Sequence, residues 1–129
     1  MNKQEVLLQL ENYRPTHDED RRFRQEMIDF VQAQDEFASR HNFAGHLTAS
    51  ALIVDQKREK VLLLHHRKLN RWLQPGGHIE SDASLLEAAL REAREETGLQ
   101  SIQAISNEIF DLDIHPIPAR KQDPEHNHL

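Results

Sequence analysis

Glu92, Glu95 and Glu96 lie close together at the end of a segment with helical periodicity. Because an α-helix advances about 100° per residue, their side chains project within one narrow sector. Carboxylates in a last helical turn oppose the helix dipole, at a cost of roughly 0.3–1 kcal/mol each, and like charges four residues apart repel. A solvated charged face is the simplest interpretation, but a hard cation such as Mg²⁺ or Mn²⁺ would offset this cost through oxygen ligands.

Two glycines, Gly76 and Gly77, precede this helix and favour the metal interpretation. A glycine lets a backbone carbonyl approach closely because it has no side chain, so the Gly77 carbonyl is a further candidate ligand. A Mg²⁺ ion held from one side keeps positions open for water and for phosphate oxygens. It would neutralise a diphosphate and lower the pKa of its bound water. The pattern therefore predicts a metal site that faces a phosphate.

Composition limits the class of protein. A chain of 129 residues with 37% hydrophobic and 29% charged residues predicts one soluble domain. A net charge of −6 argues against nucleic acid as the main partner, and the absence of cysteine excludes disulfides and thiolate sites. The N-terminal apolar stretch is too short to span a membrane and lacks the pattern of a secretion signal, so we expect a cytoplasmic protein.

The elements that position the glutamates follow from periodicity and from punctuation by proline and glycine. We predict an N-terminal helical extension over 1–43, followed by the functional domain over 44–129. The predicted helices are 3–13, 17–38 and 83–97, and the predicted strands are 46–55, 60–67 and 101–114. We predict that 70–77 is a loop and that 115–129 is irregular.

Gly77 together with the run Arg91-Glu92-Ala93-Arg94-Glu95-Glu96-Thr97-Gly98-Leu99 resembles the Nudix box, G-x5-E-x7-R-E-U-x-E-E-x-G-U, in which U is aliphatic. The preceding RWLQPGGH, residues 71–78, resembles the loop that leads into that box. The resemblance implies an α/β fold, a Nudix-type α/β/α sandwich with a mixed sheet. It also implies Mg²⁺-dependent hydrolysis of a nucleoside diphosphate linked to another moiety.

The resemblance also implies roles for individual residues. Glu92, Glu95 and Glu96 would be metal ligands together with the Gly77 carbonyl, and Glu92 or Glu96 would help to deprotonate the attacking water. Arg91 would orient the glutamates through hydrogen bonds.

Two departures from the pattern keep other classes of function open. Ala83 stands where the box has its first glutamate, for which Asp82, Glu80 or Glu87 could substitute. Only 30 residues follow Leu99, so either the chain is a fragment or the predicted helix 17–38 covers the other face of the sheet. The alternative function is a catalytically weak Nudix-like nucleotide-binding or regulatory module. A third hypothesis is an assembly element in which helix 17–38 completes a neighbour's sheet, and a homodimer is a possible state of the chain.

Four residues near the box are candidate contacts for a small-molecule nucleotide substrate. Arg67 and Arg71 would attract a polyphosphate, against the simpler interpretation of a solvated loop. Trp72 would stack on a base, although packing beneath the loop is the commoner role. His78 follows the glycines and is a candidate for contact with phosphate.

The remaining histidines give weaker signals. His65 and His66 lie on a predicted strand and should face opposite sides, with one of them in the core or at its rim. His126 and His128 have a spacing that allows chelation, but we expect them in a disordered tail.

Overall fold

The chain begins with two helices that pack against each other. The computed structural model describes residues 1–129. Helix α1 spans Lys3–Asn12, and its N-cap, Asn2, accepts a hydrogen bond from the Glu5 N–H. Helix α2 spans Asp18–Ala33. The predicted helix 3–13 is thus confirmed to within one residue.

Helix α2 is shorter than the predicted 17–38. The chain becomes extended at Gln34, and the carbonyl of Phe37 then accepts a hydrogen bond from the Leu47 N–H. Phe37 is buried, so its apolar side chain reaches the core from a turn rather than from a helix. The prediction was wrong here because the spacing of apolar residues does not show whether a helix or a turn places the side chain in the core.

The rest of the chain contains eight short strands and one further helix, α3, at Leu85–Thr97. The strands are β1 Thr48–Ser50, β2 Ile53–Val54, β3 Val61–Leu62, β4 Leu64–His66, β5 Arg71–Leu73, β6 Gly76–His78, β7 His115–Ile117 and β8 His126–His128. The two long strands predicted at 46–55 and 60–67 are each present as two shorter ones.

All paired strands are antiparallel, and one parallel bridge joins two of the pairs. Strand β1 pairs with β6, β2 with β3, β4 with β5, and β7 with β8. A parallel bridge between His46 and His128 brings β8 beside the start of β1, and the Thr48 N–H donates to the Leu129 carbonyl. The neighbouring strands therefore run in the order β6, β1, β8, β7. The predicted α/β fold class is confirmed.

Three predictions about backbone structure were wrong. The predicted loop 70–77 contains β5 and most of β6, because its residues pair with β4 and β1. The predicted strand 101–114 forms no ladder, and its Asn107 carbonyl accepts from the side chain of Gln9 instead. The segment 115–129, predicted to be irregular, forms the hairpin of β7 and β8.

One hydrophobic cluster connects the N-terminal helices to the sheet and to α3. Its buried members are Val6, Leu7, Leu10, Met27, Ile28, Val31, Phe37, Leu47, Ala49, Ile79 and Ala88. Phe30 of α2 also lies close to Gly45 and Leu129. Helices α2 and α3 thus share one core on the same face of the sheet, which disfavours the alternative that helix 17–38 covers the other face. None of the three helices has the length and hydropathy needed to cross a membrane.

Leu10→Ala tests whether the N-terminal helices belong to this shared core. Leu10 is buried, so the substitution should lower the free energy of unfolding by about 2–5 kcal/mol. Leu8→Ala on the same helix is the matched control, because Leu8 is 56% exposed and should change stability little. Equal denaturant midpoints for the two variants, measured by circular dichroism, would contradict the shared core.

Candidate active site

Helix α3 has well-defined ends, which fix where its last turn lies. The Ser84 hydroxyl accepts from the Glu87 N–H, and the Glu87 carboxylate accepts from the Ala83 N–H. At the other end Gly98 has a φ of +73°, a left-handed conformation that favours glycine, and its N–H donates to the Arg94 carbonyl. The predicted helix 83–97 is confirmed apart from its first two residues.

The Arg91 side chain connects four groups from three parts of the chain. Its guanidinium donates to both oxygens of Asp82, at 2.9 and 2.8 Å, and to the His78 carbonyl at 3.0 Å. Its Nη1 donates to Glu92 at 2.8 Å and to Glu95 at 3.3 Å. The paired, bidentate geometry with Asp82 orients the guanidinium and thereby the glutamates.

Glu92 lies directly against Gly77. Its side chain is 13% exposed, and a Cβ added to Gly77 would lie 2.7 Å from the Glu92 carboxylate carbon. Any side chain at position 77 would therefore displace this carboxylate. Glycine at this position leaves the space that the glutamate occupies beside β6.

The two other glutamates are more open to solvent. Glu95 is 60% exposed, and Glu96 is also exposed. Partial desolvation raises the pKa of Glu96, and the nearby charges of Glu92 and Glu95 raise it further. A backbone hydrogen bond from Gly76 lowers the pKa but does not cancel this rise. The mutual effect of these carboxylates indicates that they share one electrostatic environment, which a cation would stabilise.

Among the three carboxylates proposed to substitute for the first glutamate of the box, Asp82 is the one that binds Arg91. Its side chain is 9% exposed, and hydrogen bonds from Arg91 lower the pKa of its carboxyl to about 2. Ala83, which replaces the first glutamate of the box, is exposed and contributes only its backbone N–H to the helix cap. Asp82 therefore supplies a carboxylate one residue before the expected position, and it binds Arg91.

The oxygen donors around Gly77 suit a hard cation, although their present arrangement is not that of a closed ligand set. Carboxylates and a backbone carbonyl are the ligands that Mg²⁺ and Mn²⁺ prefer. Glu92, Glu95 and Glu96 are not among the side chains whose ligand atoms cluster in the structure, and Arg91 binds two of them. The exposed Glu95 and Glu96 would have to turn toward Glu92 to hold the ion.

The structure brings three of the four predicted substrate contacts together on one hairpin. Arg67, Arg71 and Trp72 are exposed on the hairpin of β4 and β5. Arg71 pairs across the ladder with His66, and His66 lies close enough to Glu96 to influence the pKa of that carboxyl. The hairpin therefore lies beside the glutamates. Trp72 is 67% exposed, which leaves its indole available for a ligand.

The structure places the histidines differently from the sequence predictions. His78 does not join the glutamates, because adjacent strand residues face opposite sides and Gly77 is the one that faces Glu92. Both His65 and His66 are exposed, so the expected core or rim role was wrong. The expectation of a disordered tail at His126 and His128 was also wrong, because both lie on β8.

A second group of possible metal ligands was missed by sequence reasoning. The ligand nitrogens of His46, His78 and His128 all lie within 4.8 Å of one another. The alternation in His-Asn-His at 126–128 was the available signal, since it places both imidazoles on one face of a strand.

Comparison with known proteins identifies the family. A family model described as the NUDIX domain matches residues 44–128, about two thirds of the chain. The chain therefore belongs to the Nudix family.

Three relatives illustrate the range of similarity. The chain is 46% identical over 61 residues to m7GpppN-mRNA hydrolase NUDT17 of Xenopus laevis, covering 43% of this chain and 20% of that protein. It is 33% identical over 85 residues to a probable DHNTP pyrophosphohydrolase of Lactococcus lactis, covering 64% of this chain and 49% of that protein. It is 35% identical over 63 residues to the asymmetrical bis(5'-nucleosyl)-tetraphosphatase of Rattus norvegicus, covering 49% of this chain and 43% of that protein. The matches thus span less than half the length of each of these relatives.

Asp82→Asn tests whether the Asp82–Arg91 pair stabilises the fold. The pKa of Asp82 is depressed from 3.8 to about 2 in the folded chain, so its contribution is present above about pH 4 and is lost as pH falls through about 2. The variant should be less stable by roughly 1–2 kcal/mol at neutral pH, with the difference shrinking between about pH 4 and pH 2. Urea unfolding at several pH values measures this.

Asp35→Asn is the control, because the Asp35 side chain is fully exposed while it forms an ion pair with Lys3. It should show little pH-dependent difference from the original chain. A constant difference for Asp82→Asn from pH 7 to pH 2 would contradict the assigned pair.

Proposed function

We propose that this chain hydrolyses the diphosphate bond of a nucleoside diphosphate linked to another moiety, with Mg²⁺ as its cofactor. The main support is the hydrogen-bond network of Arg91, which holds Glu92 against Gly77 and binds Glu95 at the end of α3. Mn²⁺ could replace Mg²⁺, because both ions prefer oxygen ligands. The Nudix match supports this class of reaction.

Glu92, Glu95, Glu96 and the Gly77 carbonyl would hold the ion. When bound, Mg²⁺ would neutralise charge on the diphosphate and lower the pKa of a coordinated water. Arg91 and Glu92 provide the fixed part of the site, since the Glu92 carboxylate is held by a 2.8 Å hydrogen bond and has little room to move.

Glu96 is the better candidate for the general base. It is not hydrogen-bonded to Arg91, and its raised pKa favours acceptance of a proton relative to an ordinary glutamate. Glu92, by contrast, already accepts a charge-assisted hydrogen bond from Arg91 at 2.8 Å. The proton of the attacking water would therefore pass to a Glu96 carboxylate oxygen.

The exposed hairpin of β4 and β5 would bind the rest of the substrate. Arg67 and Arg71 would pair with phosphate oxygens, and Trp72 would stack on a base. The names of the three relatives refer to m7GpppN-mRNA, to DHNTP and to bis(5'-nucleosyl)-tetraphosphate. The common feature that guides the assay is a nucleotide with a phosphoric anhydride.

Glu96→Gln tests the catalytic assignment. The amide keeps the size of the side chain but cannot accept the proton, so turnover should fall by about two orders of magnitude or more while the fold is retained. Product release is measured with and without Mg²⁺ on nucleoside triphosphates, dinucleoside polyphosphates, nucleotide sugars and ADP-ribose. Glu26→Gln is the control, because Glu26 is an exposed glutamate of α2. Equal turnover by both variants at saturating Mg²⁺ would refute the site.

Gly77→Ala tests the contact between β6 and Glu92. The added methyl group would occupy the position 2.7 Å from the carboxylate, so Glu92 must move and the site should require a higher Mg²⁺ concentration for half-maximal activity. The expected increase is about tenfold. An unchanged Mg²⁺ dependence in a folded Gly77→Ala variant would show that Glu92 does not hold the ion from this position.

Ala83 and the open arrangement of the glutamates favour a second candidate, the nucleotide-binding or regulatory module. The same substrate panel separates the two functions. Thermal stabilisation by a nucleotide without product would support binding, whereas Mg²⁺-dependent product formation supports hydrolysis.

A further inference from the structure

One face of the neighbouring strands β6, β1, β8 and β7 carries five of the nine histidines. His128 pairs with His115 across the β7–β8 ladder and forms the parallel bridge with His46. His78 pairs with Thr48, two residues after His46, so it lies diagonally beside His46 on the same face. His126 precedes His128 by two residues and shares its face. The register alone therefore gathers imidazoles from separate strands.

The ring contacts confirm that these side chains meet. The ring centroids of His46 and His128 are 4.8 Å apart, those of His46 and His78 are 5.2 Å apart, and those of His78 and His128 are 5.3 Å apart. Their ligand nitrogens lie within 4.8 Å of one another. His46 is only 1% exposed, and the other two are partly buried.

His46 has a buried nitrogen that lacks a hydrogen-bond partner. Its Nδ1 lies 3.2 Å from the Asn42 carbonyl, which can only accept, so Nδ1 carries the proton. The other nitrogen, Nε2, then has an available lone pair, and it is the one buried side-chain polar atom without a partner. A hydrogen bond from one imidazole nitrogen to a carbonyl is the usual support for metal binding through the other.

We propose that His46, His78 and His128 bind a divalent transition-metal ion, with Zn²⁺ as the reference ion. Three neutral imidazoles suit Zn²⁺, Ni²⁺ or Cu²⁺, whereas Mg²⁺ prefers the oxygen ligands of the glutamate site. This site is separate from the proposed hydrolytic one and does not depend on it. The ion would satisfy the orphan Nε2 of His46.

The site needs only small side-chain movements to close. Tetrahedral coordination with Zn–N distances of about 2.0–2.1 Å places ligand nitrogens roughly 3.3 Å apart, so the rings must turn inward from their present separation. His126 stacks on His46 with ring centroids 5.0 Å apart, and its Nδ1 lies 2.8 Å from the Pro124 carbonyl. Three histidine ligands leave a fourth position for water.

The surroundings favour neutral imidazoles, which is the form that binds a metal. Burial lowers the pKa of His46, and burial together with the neighbouring histidines lowers the pKa of His128 to about 3.

A bound ion would connect the C-terminal hairpin to the strand that carries Gly77. His128 belongs to β8 and His78 to β6, and the two strands are not neighbours in the sheet. The ion would thus fix the order of strands by linking β6, β8 and the residue that leads into β1.

The test uses the full chain without a histidine tag and titrates it with Zn²⁺ and Co²⁺. We expect saturable uptake of one ion per chain by calorimetry, visible absorption bands of nitrogen-coordinated Co²⁺, and Zn²⁺-dependent shifts of the ring nitrogens of His46, His78 and His128 in ¹⁵N NMR spectra. His46→Asn and His128→Gln should each weaken binding at least about tenfold. Two control variants should bind Zn²⁺ as the original chain does. His41→Ala removes an exposed histidine of the preceding segment, and Glu96→Gln alters the proposed hydrolytic site.

The outcomes separate the alternatives. Absence of saturable uptake by the folded original chain would overturn the proposal, and so would equal binding by His46→Asn and the original chain. Loss of binding in Glu96→Gln alone would assign the ion to the glutamates and overturn it as well. If both cluster variants unfold, the ring-nitrogen shifts of the original chain decide: shifts confined to the three named histidines support the site, and shifts elsewhere refute it.

Discussion

The Arg91 guanidinium is the interaction on which the rest of the candidate active site depends. It joins the turn before α3 through Asp82, strand β6 through the His78 carbonyl, and the last turns of α3 through Glu92 and Glu95. The Arg91 and Asp82 side chains are largely buried, so the low pKa of Asp82 reflects a pair that is worth more than an exposed one. The network lets like charges accumulate at the end of the helix, where the helix dipole disfavours them.

The alternation of side chains along β6 separates two kinds of chemistry. Gly77 faces Glu92 and oxygen donors, whereas His78 faces His46 and His128. Oxygen ligands select hard cations and imidazoles select transition metals, so the two proposed sites need not compete for the same ion. The hydrophobic cluster with α1 and α2 lies on the Gly77 face and supports β1, which pairs with β6 on the sheet.

The helices, apart from the end of α2, and the position of Gly77 beside the glutamate helix could be predicted from the sequence. Ser84 and Gly98 cap α3, and the spacing from Gly77 to Glu96 suggested a cation site, because helical caps and same-face carboxylates are local features. Two statements about function stay predictions: that the glutamates and the Gly77 carbonyl bind the ion, and that Arg67, Arg71 and Trp72 bind substrate.

The strand pairings and the histidine cluster could not be predicted in the same way. The pairing of His128 with His115 and its bridge to His46 join residues far apart in sequence, and such register is decided by tertiary contacts. The prolines in 115–129 suggested irregular structure, yet Pro116 lies inside β7, where that strand pairs on one side only. Asp82 was overlooked as the main partner of Arg91 because nothing in the local pattern shows where the guanidinium points.

The most direct test of the central claim is the position of a bound Mn²⁺ ion, measured by paramagnetic broadening of backbone amide signals in ¹⁵N-labelled protein. A substoichiometric addition should first broaden the amides of Gly76, Gly77 and residues 92–96, because the oxygen ligands beside β6 attract this ion. Broadening centred on residues 126–128, or spread evenly over the acidic surface, would contradict a cation site organised by Arg91.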